Sequence, residues 1–169
     1  PNMTEVLYSG ITDDDAIRFT YTIRSVRTND YHRRFHAYRY RFLKDVTLPK
    51  RLVFYQMAAD YYIGSAFTRY YRGDQTGLLA SYRSDPGGNA YKGSPVPFQN
   101  QWLAIDDESC SDGRTKGRRG IVSLTSTLNG RPFPLYLHTY GRSWGKPKML
   151  FDFSADSVRR SYRAGDVVA

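Results

Sequence analysis

A chain of 169 residues with 25 Lys and Arg against 16 Asp and Glu has a formal charge of +9, which draws acidic partners by long-range attraction and says nothing about fold. Its 40% hydrophobic content, with 15 Tyr and 9 Phe, suffices for the core of one ordinary domain and favours strands, because such side chains suit a pleated, half-buried surface. A single cysteine, Cys110, excludes an intrachain disulfide and CxxC-type zinc frameworks, and no run approaches the roughly 20 apolar residues of a membrane-spanning helix.

The opening Pro1, Asn2 and Met3 lack a basic-then-apolar leader pattern, and the close from Gly165 to Ala169 reads as the entry to a further strand. The expectation is one domain, residues 1–169, taken from a larger multidomain protein. Asp13, Asp14 and Asp15, and later Asp106, Asp107 and Glu108, are acidic clusters without the spacing or glycine of an EF-hand loop. They read first as solvated loop acids. A structural calcium ion is the one cofactor their hard oxygens would suit, and no other cofactor is expected.

Residues 16–27 alternate Ile17, Phe19, Tyr21 and Ile23 with Arg18, Thr20, Thr22 and Arg24, the period of a strand with one wet face. A loop carrying Asn29, Asp30, Tyr31, His32, Arg33, Arg34 and His36 follows. Alternation resumes with Tyr38, Tyr40 and Phe42 opposed by Arg39 and Arg41, so the two segments suit a long-looped hairpin. Residues 51–57 form a nearly continuous apolar run, predicted to be a central strand buried on both faces. Residues 66–72 and 78–82 read as strands around a glycine turn, and residues 84–97 as a long Pro/Gly-rich surface loop. Further strands are predicted over 101–106, 121–128, 132–140 and 149–153, with Asn129-Gly130 as a hairpin turn. Seven or more short strands without convincing helices predict an all-β fold, an antiparallel β-sandwich of jelly-roll or supersandwich type with few or no helices.

His32 and His36 stand four apart, which aligns imidazoles for zinc only on a helix, and His138 is the one further histidine. No Glu follows His32 as a zinc protease motif requires, and Arg33 and Arg34 repel a cation, so no metal site is expected. An anion fits the same residues better: guanidinium groups fork onto carboxylate, sulfate or phosphate, and histidine adds a hydrogen bond. The bland reading of these residues is a set of charged strand ends kept in water. Tyr61, Tyr62 and Trp144 are candidates for stacking on a sugar or a base, although most of the 15 tyrosines must fill core. P-loop, GxGxxG, GxSxG and HExxH motifs are missing. Arg119 to Val122 follow an RNA-recognition strand only superficially, since Ser123 and Leu124 stand where stacking aromatics belong.

The run Thr28, Asn29, Asp30, Tyr31, His32 and Arg33 between two strands, the stretch from Leu52 to Tyr62 and the closing Arg163 to Val167 together resemble the large β-sandwich domains of bacterial polysaccharide-active enzymes. The resemblance implies carbohydrate as the ligand class, a secreted or periplasmic setting, and flanking domains of a parent enzyme. The leading expectation is therefore a carbohydrate-binding or accessory domain that prefers an anionic polysaccharide, with His32, Arg33, Arg34, His36, Tyr61, Tyr62 and Trp144 as ligand contacts. The first alternative is the catalytic domain or half-domain of a polysaccharide lyase or glycoside hydrolase. In a lyase, Tyr31 or His32 would be the base and Arg33 or Asn29 would neutralise the substrate carboxylate. A hydrolase needs two carboxyl groups roughly 5 to 9.5 Å apart, for which Asp30 and Asp60 are the only nominees. A basic nucleic-acid-binding β-domain is the second alternative, and no membrane partner is expected.

Overall fold

The computed structural model describes residues 2–27, 32–60, 69–83, 96–106, 118–143, 147–155 and 160–169. Among them every regular element is a strand, every pairing is antiparallel and no helix forms, so the fold is all-β as the alternation predicts. In chain order the strands are β1 (Met3–Ile11), β2 (Ile17–Arg27), β3 (His32–Phe42), β4 (Val46–Thr47), β5 (Val53–Asp60), β6 (Arg69–Asp74), β7 (Gly77–Arg83) and β8 (Val96–Pro97). They continue as β9 (Gln101–Asp106), β10 (Arg118–Val122), β11 (Thr127–Leu128), β12 (Arg131–Pro132), β13 (Leu135–Ser143), β14 (Pro147–Ala155), β15 (Ser161–Tyr162) and β16 (Val167–Val168). The chain divides into two compact units, the first made of Pro1–Leu52, Ser126–Phe133 and Val158–Ala169, the second of Val53–Thr125 and Pro134–Ser157.

The first unit is a six-stranded sheet in the order β1-β2-β3-β16-β11-β12, with a two-stranded β15-β4 ribbon. Its buried centre holds Phe42 stacked on Tyr162 at 4.2 Å between ring centroids, with Ala16, Ile17, Phe133 and Val168 also buried. The two residues of β16 tie the long β1-β2-β3 meander to β11-β12, and a side-chain clasp holds them. Asn129 Oδ1 accepts from Val167 N at 2.8 Å, and Asn129 Nδ2 donates to Asp166 Oδ1 at 2.8 Å. Asn129 and Gly130 both take positive φ (52° and 76°), as the predicted two-residue hairpin turn requires. In the β1–β2 turn, the Asp14 carboxylate accepts from Thr12 Oγ1 at 2.6 Å and from Ala16 N at 3.1 Å, and Lys44 Nζ donates to the Asp14 carbonyl. These bonds hold the Asp14 carboxyl below its ordinary range, led by that from Thr12. That acid therefore organises a turn.

The second unit packs two four-stranded sheets, β10-β9-β6-β7 and β5-β14-β13-β8, over a shared apolar core. Tyr70, Leu103 and Ile105 from the first sheet meet Leu137, Phe151 and Phe153 from the second, and Phe98 fills between them. Tyr70 and Phe151 interlock edge to face at 5.2 Å. A bulge at Arg72/Gly73 leaves a recess in β6 that Trp102 occupies, its Nε1 donating to the Asp74 carbonyl at 3.0 Å. Any Cβ on Gly73 would overlap the Trp102 ring and the Gly77 carbonyl oxygen.

Four predicted elements are corrected, and one strand was not predicted. The strand expected over 121–128 breaks at 123–126, between β10 and β11, and the strand expected over 132–140 breaks at 133–134, between β12 and β13. The loop expected between β2 and β3 is shorter, because β3 already begins at His32 and pairs with Arg27. Of the apolar run over residues 51–57, residues 53–57 enter β5, which among the described residues stands at the end of its sheet order, and residues 51–55 are only half-buried. Its position is set by where β14 finds a partner. Strand β1, absent from the alternation reading, pairs along nine residues with β2. Its Val6, Leu7 and Tyr8 are consecutive, so no period of two betrays it.

Candidate ligand-binding sheet

Those predicted anion-binding residues that are described lie in the β1-β2-β3 meander. Its pleat separates them. Successive residues of a strand point to opposite faces, and register places opposite partners on the same face. One face presents Arg33, Phe35, Ala37, Arg39 and Arg41 along β3, with Arg18 and Arg24 beside them on β2. The other presents Arg34, His36, Tyr38 and Tyr40 on β3, with Tyr21 on β2 and Tyr8 on β1.

On the first face Arg18 and Arg41 are direct cross-strand partners, and Arg39 follows two residues along. All three are exposed. Arg27 N donates to Asn2 O and Thr12 N to Ile17 O, which puts the β1–β2 bonds on the odd residues of β2. Arg18 and Arg41 are therefore a hydrogen-bonded pair, with Cα atoms about 5.5 Å apart. Like charges so placed repel and destabilise a ladder. The neighbouring register positions on this face hold Ser9, Ile11, Thr20, Ala37 and Val167, none of them acidic. Arg24 differs, since its Nε is paired with Glu5 in an exposed ion pair of little net energy. Along β3 the face reads cation, aromatic, small residue, cation, cation, and eight residues of strand from Arg33 to Arg41 extend roughly 26 Å. Phe35, at 50% exposure, is the ring available for stacking on this track.

The opposite face carries a ladder of rings. Tyr21 and Tyr38 stack at 4.3 Å and 8°, whereas Tyr8 and Tyr21 stand 5.9 Å apart at 22°. Register explains the difference: Tyr21 and Tyr38 are a non-hydrogen-bonded pair, whose side chains approach more closely than those of the hydrogen-bonded Tyr8–Tyr21 pair. The Tyr21 hydroxyl and His36 Nδ1 share a hydrogen bond of 2.5 Å. Burial, and then the Arg34 guanidinium, push the His36 pKa below its ordinary 6.5. Burial also raises the Tyr40 phenol, with Tyr21 adding to the effect. Next along the face, the Phe19 ring lies over Gly10, 3.0 Å from where a Cβ would sit.

Of the sequence candidates, Arg33 lies on the arginine face while Arg34 and His36 lie on the tyrosine face, so the expected cluster is split. His32 opens β3. His36 lies four strand positions further on, roughly 13 Å along the backbone, too far for one metal ion. Asn29, Asp30, Tyr31, Tyr61, Tyr62 and Trp144 lie outside the described residues, and Asp60 ends β5 opposite Lys148. Trp102 is structural, locked in the Gly73 recess. No group of three or more His, Cys, Asp or Glu gathers among the described residues.

Phe35, Arg39, Arg41 and Arg18 are the track residues that the loop-centred reading passed over. The signal was present, because the wet half of both alternating segments is dominated by Arg and Thr. A second feature was missed in the other unit. Gln56, Asp152 and His138 are successive register partners across β5, β14 and β13, and Asp152 and His138 are buried. Gln56 Nε2 donates to Asp152 Oδ1 at 2.7 Å. No family model, curated protein or solved structure matches the chain.

Proposed function

We propose that the chain is a carbohydrate-binding module that holds an acidic polysaccharide along the arginine face of β1-β2-β3. The observation that carries this reading is the exposed Arg18–Arg41 pair with Arg39 beside it and no acid in register. Such a pair opposes folding in the empty protein, and a bridging carboxylate or sulfate converts the repulsion into charge-assisted hydrogen bonds. The flat, extended track suits a linear polymer. Phe35 supplies an apolar ring for the C–H face of a sugar, and Ala37 lets the chain lie close to the sheet. The resemblance to β-sandwich domains of bacterial polysaccharide-active enzymes supports the same ligand class, with the secreted or periplasmic setting it implies.

Calorimetric titration with a polyuronate, a sulfated glycan, a neutral glycan and single-stranded DNA, each at low and high salt, tests the reading. Acidic glycans should bind and the neutral glycan should not, with affinity lost when Arg39 and Arg41 are replaced by Thr. Equal binding of neutral and acidic glycans would remove the arginine track from the site. DNA binding tighter than any glycan, falling steeply with salt, would transfer the face to nucleic acid.

A further inference from the structure

We infer that β1 pairs antiparallel with β1 of a second copy of this chain, across a two-fold axis at Leu7, so that two meanders join into one continuous sheet. Among the described residues β1 ends its sheet order, with β2 on one side. The bonds from Arg27 N to Asn2 O and from Thr12 N to Ile17 O place the even residues of β1 in the ladder to β2. The N–H and C=O groups of the odd residues, Met3 through Ile11, therefore point out of the sheet. A nine-residue edge of this kind is a template for strand addition.

The side chains of β1 select the partner. Five of its nine residues are large, apolar and exposed: Met3 (57%), Val6 (40%), Leu7 (62%), Tyr8 (51%) and Ile11 (44%). Pairing Leu7 with its own copy sets Met3 opposite Ile11 on one face and Val6 opposite Tyr8 on the other, so each of the five meets an apolar side chain. Shifting the register by two residues in either direction puts Glu5 across from Leu7 or from Ile11. A self-complementary apolar pattern on an outward-bonding edge fits an isologous contact. In the chosen register Glu5 faces Ser9 and no ion pair crosses the axis, while each copy carries +9. Screening therefore strengthens this contact. The pairing keeps equivalent faces on one side, which doubles the length of both the tyrosine ladder and the arginine face, and it stands whether or not a glycan binds there.

Sedimentation velocity of the whole chain over a dilution series, at low and high salt, is the test. The expected result is a dimer of twice the 19.5 kDa chain mass that tightens with salt and becomes a monomer in Leu7→Lys, with the far-UV spectrum unchanged. In a Cys110→Ser background, Leu7→Cys should oxidise to a covalent dimer, because facing residues stand about 5.5 Å apart, within disulfide reach. Ser9→Cys should not, because Ser9 faces Glu5. A monomer at every concentration and salt, a dimer indifferent to Leu7→Lys or dissolved by salt, or equal cross-linking at the two positions would overturn the inference.

Discussion

Arg18 and Arg41 face each other across the β2–β3 ladder with no acid in register, a pairing that weakens the sheet that presents it. A third cation, Arg39, stands two residues on, so that three guanidinium groups share one face of these strands, the arrangement on which the proposed acidic ligand would lie.

Replacing Arg39 and Arg41 together by Thr should lower affinity for an acidic glycan by about tenfold or more, because each charge-assisted bond contributes roughly 1.5–3 kcal/mol. Thermal stability should hold or rise, since relief of a like-charge cross-strand pair is worth about 0.2–1 kcal/mol. Isothermal titration and a melting curve check both, and a large drop in melting temperature would contradict the repulsion argument.

His36 makes the first unit sensitive to mild acid. Its folded pKa lies below the ordinary 6.5, so the unfolded chain binds the proton more readily. Stability should begin to fall as pH drops through about 6.5 and continue to fall until the lower folded value is passed. Half-exposure keeps the effect modest. Denaturant melts between pH 7.5 and 5 should show the slope, and His36→Phe should flatten it.

The tyrosine ladder should couple unequally. A double-mutant cycle between Tyr21 and Tyr38 is expected to give about 0.5–1.5 kcal/mol, the range for stacked aromatic pairs. The Tyr8–Tyr21 cycle should give less, since those rings are 5.9 Å apart against 4.3 Å. Equal coupling energies would show that ring spacing does not set the interaction.

Gly73→Ala should destabilise the second unit by about 1–3 kcal/mol or more, the cost of overpacking a filled site. The Trp102 indole would have to leave its recess, so its fluorescence should shift towards that of a wetter ring. Gly73→Ala with Trp102→Phe should recover part of the loss, because the smaller ring leaves more of the recess for a methyl group.

Residues 17–27 and 38–42 were legible as strands because their side chains alternate with the period of the pleat, and Asn129-Gly130 as a turn because both residues tolerate positive φ. The sequence also carried the arginine and threonine half of that alternation. Strand β1 was hidden because its apolar residues serve both faces of an edge. The peripheral place of β5 was hidden because hydrophobicity records burial and is silent on which strand lies beside which. Above all, adjacent Arg33 and Arg34 form one cluster in the sequence. The start of β3 at His32 commits them to opposite faces, and a shift of one residue in register would exchange them. Local side-chain chemistry therefore determined the all-β fold and its basic, aromatic character, while strand pairing, a long-range choice set by backbone hydrogen bonds, decided which of those residues stand together.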